Sequence, residues 1–347
     1  MKHTKAVDLQ PRTRTGAVRM ADVARAAGVA SVTVSRVINH PDTVAQATRE
    51  LVQATIRQLG YVPDLTAGSL ASTRSKIVGA IVPTLSNAWF ADTMDGLAAA
   101  LAPQGYQLML AQSSYHPREE AGLVDAFLGR RVDAIVLTGV SHEKSVRDKL
   151  RRLGLPVVET WDLTDDPIDM AVGFSNAGVG AAVAQYLCER GHKRIGFIGA
   201  DELRARKRLE GLQAHLAELG IAPAEMELLP PPSTIDAGAQ ALTRLLERAP
   251  RIQAVFCSND ILGVGALLAC RQHGWQVPGR IAVVGFSDLA MAAASYPTLT
   301  TVQVQPRELG RQAGEVLLRR LQGATRPSRR AQRVMDLGFR IVPRESA

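Results

Sequence analysis

Residues 22–39 read DVARAAGVASVTVSRVIN and carry two short helical patterns, one on either side of Gly28 and Val29. Apolar residues recur there at helical spacing, which predicts helices at about 20–27 and 31–38, followed by a third at 45–59. Two structures fit this pattern: an amphipathic helical hairpin inside a bundle, or a helix-turn-helix that lies in the major groove of DNA. Such hairpins are common, so periodicity by itself favours the first. The choice depends on the rest of the chain.

The size and composition of the chain indicate a protein with sizeable cores and no membrane segment. Its 347 residues are enough for two or three domains. No apolar run reaches the roughly 18 residues that span a bilayer, and no hydrophobic stretch follows the basic N-terminus as it would in a secretory signal. We therefore expect a cytoplasmic protein. Cys188, Cys257 and Cys270 stand far apart in the sequence, so they predict buried free thiols rather than a disulfide framework or a zinc site.

The formal net charge of +8 is concentrated near the beginning of the chain. The first 76 residues contain 11 Lys and Arg against 5 Asp and Glu, whereas the remaining residues contain 30 against 28. A local positive field favours association with polyanions such as DNA. The alternative is a solvated basic tail, since Lys2, Lys5 and Arg12 lie outside any helical pattern. Arg25 and Arg36 lie within the predicted helices, which weakens that alternative.

Changes in sequence pattern divide the chain into four segments. We expect a flexible arm at 1–18, a helix-turn-helix domain at 19–63, a hinge helix or linker at 64–75, and a large core at 76–347. In the core, apolar runs such as IVGAIVP, AIVLTG and RIGFIGA alternate with helical stretches, which is typical of parallel sheets wound with helices.

The core is too long for one compact sheet, so we predict two α/β lobes with a ligand cleft at the carboxyl ends of their strands. Lobe 1 is expected to contain about 76–174 and 304–333, and lobe 2 about 175–303 and 334–347.

Catalytic and cofactor motifs are missing from the sequence. GFSNAG lacks the spacing of a nucleophile elbow, and no loop ends in the Gly-Lys-Ser/Thr of a phosphate cradle. The seven histidines include no i, i+4 pair that could hold a metal. The sequence therefore predicts no catalytic residues, no metal site and no cofactor, and an enzyme is disfavoured.

The second predicted helix has one face suited to packing and one suited to DNA. Val34, Val37 and Ile38 can pack against the first helix. The outward positions are Ser31, Val32, Ser35, Arg36 and Asn39. An arginine can bond guanine O6 and N7 together, whereas valine offers only apolar contact, best suited to a thymine methyl. The alternative, a solvated surface arginine, leaves unexplained why Ser and Asn share its face in a basic segment.

The third helix is expected to bury Leu51, Ile56 and Leu59 on one face, with Val52 and Thr55 beside them.

Three motifs together resemble the lactose/galactose repressor (LacI) family. They are MADVARAAGVASVTVSRVIN, the following GYVPDLTAGSLAS, and an α/β core that closes with VVGFSD and LTTVQ. The resemblance covers nearly the whole chain in the family's order. LSNAWFAD, SSYHPREE, IDMAVGFSN and DLGFRIVP are most similar to the gluconate-operon repressors of that family.

The resemblance implies an all-α helix-turn-helix domain followed by a two-lobed core like that of periplasmic binding proteins. It also implies a homodimer that binds a palindromic operator and senses a small metabolite. Ser31, Val32 and Arg36 occupy the family's base-reading positions. The positions of usual phosphate contacts are Thr33, Ser35, Asn39, Thr48 and Tyr61. Ala67 and Leu70 fit the hinge helix, where Leu70 would wedge between base steps of the minor groove unless it is an ordinary linker residue.

The sequence departs from the family pattern at two helix starts. Ala30 and Ala45 stand where Ser or Thr usually caps the second and third helices. Each missing cap is expected to cost on the order of 1 kcal/mol, unless Thr43 caps the third helix instead.

The family's effector-binding arginine corresponds to Arg208. A planar guanidinium suits the capture of a carboxylate or of vicinal hydroxyls. Trp89, Phe90 and Trp161 follow predicted strands and could stack on a ligand, although core packing is the alternative. Asn259 and Ser287 are expected to form a polar rim, although Asn259 and the residue after it could simply cap a helix.

Ser287 stands where sugar-binding relatives often carry an acidic residue. A neutral side chain there favours an anionic ligand, because a carboxylate would repel one. The resemblance and this charge balance both indicate a sugar acid: gluconate first, then 6-phosphogluconate or a ketogluconate. The predicted protein is thus a repressor released from operator DNA by a sugar acid. A corepressor, or a solute-binding protein with the same core, are the alternatives.

Overall fold

The computed structural model describes residues 18–62, 74–323 and 333–347. All of the predicted arm except residue 18 lies outside these ranges, as does most of the predicted hinge, including Ala67 and Leu70. The chain separates into two units, with the boundary between Ser75 and Lys76. None of the described helices is both long and apolar enough to cross a bilayer.

Within its described residues, the first unit, called the head, contains three α-helices within one residue of their predicted bounds. They are α1 (Met20–Ala27), α2 (Ser31–Asn39) and α3 (Gln46–Leu59). Gly28 ends α1 in a left-handed conformation (φ 65°), which glycine adopts without steric cost, and the next amide, of Val29, donates to the carbonyl of Ala24. The buried core of the head contains Val23, Ala24, Ala27, Val34, Val37, Val52 and Tyr61.

The buried face of α3 differs from the prediction. Leu51 is 51% exposed, whereas Val52 and Thr55 are buried and Ile56 and Leu59 pack partly against them. A threonine can occupy a core position here because its hydroxyl donates to the carbonyl of Leu51, 2.9 Å away, which leaves the methyl group free to pack. The face predicted from apolar residues alone was therefore rotated from the true one.

Both departures from the family's capping pattern are present in the structure. Ala30 and Ala45 are the N-caps of α2 and α3, and neither helix has a side-chain cap. Thr43 does not replace the missing cap of α3, because its hydroxyl donates to the carbonyl of His40. The first amides of α2 and α3 thus lack the side-chain partner that Ser or Thr would supply.

The second unit contains two six-stranded sheets. The strands of lobe 1 are β1 (Ile77–Val82), β2 (Gln107–Gln112), β3 (Ala134–Thr138), β4 (Val157–Thr160), β5 (Met170–Gly173) and β11 (Val334–Asp336), in the order β11-β5-β4-β3-β1-β2. The strands of lobe 2 are β6 (Ile195–Ala200), β7 (Glu225–Leu229), β8 (Ala254–Cys257), β9 (Ala282–Ser287), β10 (Thr300–Gln303) and β12 (Arg340–Val342), in the order β12-β10-β9-β8-β6-β7. Neighbours run parallel except β10 and β12, so the predicted fold class is confirmed.

Helices cover both faces of these sheets, which is why the inner strands are continuous apolar runs. They are α4 (Ala88–Leu101), α5 (Pro117–Gly129), α6 (Lys144–Leu153), α7 (Asn176–Glu189), α8 (Leu203–Glu218), α9 (Ile235–Arg248), α10 (Asp260–His273), α11 (Ala290–Ala294) and α12 (Pro306–Leu321). Helices α7 and α8 approach at glycines: a Cβ on Gly180 would lie 1.9 Å from the carbonyl oxygen of Arg208.

The last crossing between the lobes lies further along the chain than predicted. Met335 of β11 pairs with Val172 in lobe 1, and the chain enters lobe 2 only before β12. The predicted boundary at 333/334 is therefore a few residues too early. A three-residue strand carries too little pattern to show which of two sheet edges it will join.

Candidate functional site

The exposed face of α2 presents most of the side chains that the sequence assigned to DNA. Ser31, Val32, Arg36 and Asn39 are exposed, and Val32 in particular is 57% exposed although it is apolar. Val34 on the opposite face is fully buried. Among the described residues, Arg36 has no ion pair. This face is free to meet another surface, with one cation and one apolar side chain at its centre.

The predicted phosphate-contact residues are less uniform. Thr33, Ser35 and Thr48 are half-buried, and the amide of Asn39 donates to the hydroxyl of Ser35 at 3.3 Å. Tyr61 is only 8% exposed, and its ring packs in the core of the head. The structure thus gives Tyr61 a packing role, and its phosphate contact stays a prediction.

A small cavity of about 30 Å³, here called the inner cavity, lies between the two lobes at the carboxyl ends of their strands. It is lined by Asn87, Trp89, Phe90, Tyr115, Trp161, Ala200, Glu202, Arg204, Arg208, Ser233, Ser258, Asn259 and Phe286. Five of the six predicted effector residues are in this set; Ser287 is not, although its neighbour Phe286 is. Tyr115, Glu202 and Arg204 also line a larger, more open cleft outside it.

Aromatic rings form one wall of the inner cavity, and Phe174, which does not itself line the cavity, connects Trp161 to Phe286. Trp89, Phe90, Trp161, Phe174 and Phe286 follow one another with centroids 5.3–5.9 Å apart. Most of these pairs are edge-to-face, the arrangement that aromatic quadrupoles favour. Phe174 and Phe286 were not predicted, because a Phe in an apolar run of an α/β lobe is usually a core residue.

Trp161 is held by both its ring and its backbone. The indole N–H donates to the hydroxyl of Thr93 on α4 at 3.2 Å. Its backbone has φ 68°, a left-handed conformation that is rare for a bulky residue and that is stable only where the surroundings enforce it. Trp161 is therefore a fixed part of the lobe 1 wall, in addition to being a core residue.

Arg208 extends from α8 into the cavity and is only 6% exposed. Its guanidinium lies over the ring of Phe286, 4.3 Å from the centroid, and one terminal nitrogen, Nη1, donates to the side-chain oxygen of Asn176. The other, Nη2, is 3.7 Å from Glu202, and the buried Nε has no hydrogen-bond partner among the described residues. Burial lowers the pKa of Arg208 to about 10, so the group stays charged at neutral pH.

The sequence reasoning missed six polar residues of the cavity, namely Asn87, Tyr115, Glu202, Arg204, Ser233 and Ser258. The carboxylate of Glu202 caps α8 by accepting from the amide of Ala205 at 2.7 Å, and it pairs with Arg204 at 2.8 Å. Burial raises the pKa of Tyr115 to about 12, so its phenol stays neutral and can donate. Glu202 directly follows the run RIGFIGAD. It could therefore have been predicted from the expectation that ligands bind at the carboxyl ends of parallel strands.

Among the residues that line the inner cavity, the two arginines, Arg204 and Arg208, outnumber the one carboxylate, Glu202, which leaves one net positive charge.

The two predicted rim residues differ in their surroundings. Asn259 caps α10 by accepting from Leu262 at 3.0 Å, and its amide donates to Ser233 at 2.8 Å. Its side chain is thus already used inside the protein, as the capping alternative predicted. Ser287 has φ 112° and a buried hydroxyl with no partner. The adjacent Asp288 is bonded to Arg344 at 2.6 Å and adds no free negative charge.

No cluster of three or more His, Cys, Asp or Glu side chains within the described ranges could hold a metal ion.

Comparison with known proteins identifies the family. Residues 19–64 match the bacterial regulatory proteins of the lacI family, and residues 184–347 match a periplasmic binding protein-like domain. The HTH-type transcriptional regulator GntR of Pseudomonas aeruginosa is 35% identical over 342 residues, which cover 98% of each chain. The chain belongs to the LacI family of DNA-binding transcriptional regulators. The prediction of a regulator rather than an enzyme is therefore confirmed.

Two solved structures of the family show the same architecture. A LacI-family transcriptional regulator from Silicibacter pomeroyi is 32% identical with a TM-score of 0.88, over 95% of this chain and 99% of that one. The transcriptional regulator CelR in complex with cellobiose is 30% identical with a TM-score of 0.68, over 95% of this chain and all of that one (100%). The DNA and effector roles of individual residues in this LacI-family chain stay predictions.

Proposed function

We propose that this LacI-family protein is a cytoplasmic repressor that binds a palindromic operator as a homodimer and is released by a sugar acid, with gluconate as the first candidate. The observation that carries the proposal is Arg208, a buried and charged guanidinium with an unpartnered Nε in the cavity between the lobes. A buried donor without a partner is unfavourable, so a ligand that bonds it gains more than it would at an exposed arginine.

The DNA-binding half of the proposal rests on the exposed face of α2. Arg36 would bond a guanine edge, Val32 would contact a thymine methyl, and Ser31 would read an adjacent base. Ala67 and Leu70 of the proposed hinge would pair with the hinge of the second subunit in the minor groove. These two residues lie outside the described part of the chain, so they are supported by the family resemblance alone.

A sugar acid matches the chemistry of the inner cavity. Its carboxylate would take the free Nε of Arg208, and the net positive charge would favour an anion. Its hydroxyls would meet Tyr115 on the cavity lining. A contact with Ser287, which follows the lining residue Phe286 in the chain, is proposed from the sequence alone. The carbon chain would lie against the aromatic wall. The cellobiose complex of the related CelR supports a carbohydrate as the ligand class.

Release from DNA follows if the ligand binds one arrangement of the lobes better than the other. Because the cavity takes residues from both lobes, a ligand inside it favours the closed arrangement. A coupling free energy of roughly 1–3 kcal/mol would change operator affinity by about 5–150-fold. By reciprocity, operator DNA would weaken effector binding by the same factor.

The test is calorimetry of the full-length protein with gluconate, 6-phosphogluconate and 2-ketogluconate. We expect at least one acid to bind, and Arg208→Ala to abolish that binding. The control is Arg248→Ala, which removes an exposed arginine of lobe 2 that pairs with Glu227. Retained binding in Arg208→Ala would refute the assignment of the cavity.

The second candidate is a corepressor that acts through the same cavity. Operator retardation with and without each acid separates the two, because an inducer weakens the operator complex and a corepressor strengthens it.

A further inference from the structure

We propose that Asn176 is a positioning residue for Arg208: it occupies one end of the guanidinium with an uncharged acceptor and leaves Nε, which has no hydrogen-bond partner among the described residues, for the ligand's carboxylate. This inference rests on the proposed function for its ligand, although the contact between the two residues does not.

Asn176 stands where the chain passes from lobe 1 to lobe 2. It is the first residue of α7, three positions after β5 ends, and it is 1% exposed. Helix α7 packs on α8, which carries Arg208. The residue is not needed as a helix cap, because the preceding Ser175 accepts the bond from the amide of Gly178 at 2.9 Å. Its side chain is therefore available for another task.

Both ends of the Asn176 amide are used, one toward each lobe. Its nitrogen donates to the backbone carbonyl of Trp161 at 2.9 Å, and its oxygen accepts from Nη1 of Arg208. Trp161 in turn donates to Thr93 of α4. A continuous chain of hydrogen bonds thus runs from α4 of lobe 1 through Asn176 to the arginine of lobe 2.

The geometry of the guanidinium shows what this contact does. Phe286 supports one face, and Asn176 takes Nη1. The remaining edge, formed by Nε and Nη2, is the one that a carboxylate can bond with two parallel hydrogen bonds. Nη2 faces Glu202 only at 3.7 Å, and Nε has no partner. The arginine is therefore oriented before the ligand arrives, which reduces the conformational entropy lost on binding.

An amide is the suitable group at this position. Aspartate would keep the acceptor for Arg208 but lose the donor to Trp161, and its carboxylate would face the Trp161 carbonyl oxygen. It would also neutralise the guanidinium and repel an anionic ligand. We therefore expect Asn176→Asp and Asn176→Ala to weaken gluconate binding at least tenfold, by different routes.

The first experiment needs no ligand. A double-mutant cycle on urea unfolding of the full-length protein compares Asn176→Ala, Arg208→Ala and the double variant. We expect non-additive changes in the free energy of unfolding, because each single change leaves a buried partner unpaired. Additive changes would overturn the inference whatever the ligand is. The control variant is Gln253→Ala. The Gln253 side chain is another bridging amide, whose oxygen accepts from the backbone amides of Lys193 and Arg194 at the opposite ends of the strands.

The second experiment measures charge recognition. We expect Asn176→Ala to lower gluconate affinity at least tenfold, while the affinity for uncharged glucitol changes less than threefold. In an Arg208→Ala background, where gluconate binding is expected to be lost, Asn176→Ala should change the affinity for glucitol no more than twofold. Unchanged gluconate binding by Asn176→Ala, or equal losses for both ligands, would overturn the positioning role. If the unaltered protein binds no sugar acid, the proposed function fails, and the unfolding cycle alone decides the inference.

Discussion

Replacing Gly180 by alanine should weaken both the packing of lobe 2 and the binding of its effector. A Cβ at this position would lie 1.9 Å from the carbonyl oxygen of Arg208 and 2.7 Å from the amide nitrogen of Leu212. Ordinary contact begins near 3.4 Å, so α7 and α8 would have to separate by about 1.5 Å. The obstacle is helix backbone, which cannot rotate away as a side chain can.

The expected loss follows from two opposing effects. Overpacking costs about 1–3 kcal/mol, and a backbone clash of this depth belongs at the upper end of that range. Alanine offsets about 0.5–1 kcal/mol, because it has a higher helix propensity than glycine. We expect the free energy of unfolding to fall by about 2 kcal/mol. Because the displaced segment carries Arg208, the affinity for gluconate should also fall.

Urea unfolding followed by circular dichroism, together with calorimetry, measures the two effects. Gly265→Ala is the matched control, because it creates a similar clash between another pair of helices, α9 and α10. Its Cβ would lie 2.1 Å from the carbonyl oxygen of Ile235. Gly122→Ala in α5 meets nothing within 4 Å and should be stabilising. An unfolding midpoint for Gly180→Ala as high as that of Gly122→Ala would refute the close approach. Equal losses of gluconate affinity in Gly180→Ala and Gly265→Ala would show that the effect does not pass through Arg208.

Three further predictions concern the head and the core. Arg36→Ala should cost about 1–3 kcal/mol of operator binding and relax preference at one guanine, as measured by retardation on operators altered at single positions. Ala45→Ser should raise the free energy of unfolding of the head by about 0.5–1 kcal/mol, because it restores a helix cap. An unchanged midpoint temperature of thermal denaturation would contradict this. Burial by itself lowers the pKa of His142, but hydrogen bonds and charges from Glu120 and Glu159 outweigh it and raise the pKa to about 9. The folded pKa is thus above the unfolded value of 6.5, so this contribution to stability is complete below pH 6.5 and is lost as pH rises through 9. The urea unfolding midpoint should therefore decrease as the pH rises from 6.5 through 9, and His142→Gln should remove the part of this decrease that comes from His142.

The head could be predicted closely because its information is local. Helices α1, α2 and α3 follow from apolar spacing and from Gly28, and each forms over residues that are neighbours in sequence. The error at Leu51 shows the limit of that pattern. Periodicity identifies an apolar stripe, but the buried part of α3 depends on which side its partners occupy, and Thr55 became a core residue once its hydroxyl was bonded within the helix.

The inner cavity was predicted in part for a similar reason. Trp161 and Asn259 follow apolar runs, and strand ends of a parallel sheet meet at one edge, so their proximity follows from the alternating pattern. Asn259 lies on the cavity as predicted, but its polar atoms are committed to α10 and to Ser233. The sequence predicted where Asn259 lies, but it did not show that the polar atoms of its side chain are already hydrogen-bonded within the protein.

The sequence by itself determined the helices of the head and the α/β alternation of the core, because each depends on short-range spacing. The candidate arginine of the cleft came from its correspondence to the LacI family's effector-binding position. Only the tertiary structure decided which lobe β11 joins and which atoms of Arg208 are free. Those outcomes depend on contacts between segments far apart in the chain. Residues 22–39 thus determine the exposed face of α2 by themselves. The hydrogen bond between Arg208 and Asn176 forms only when the fold brings the two residues together at the crossing between the lobes.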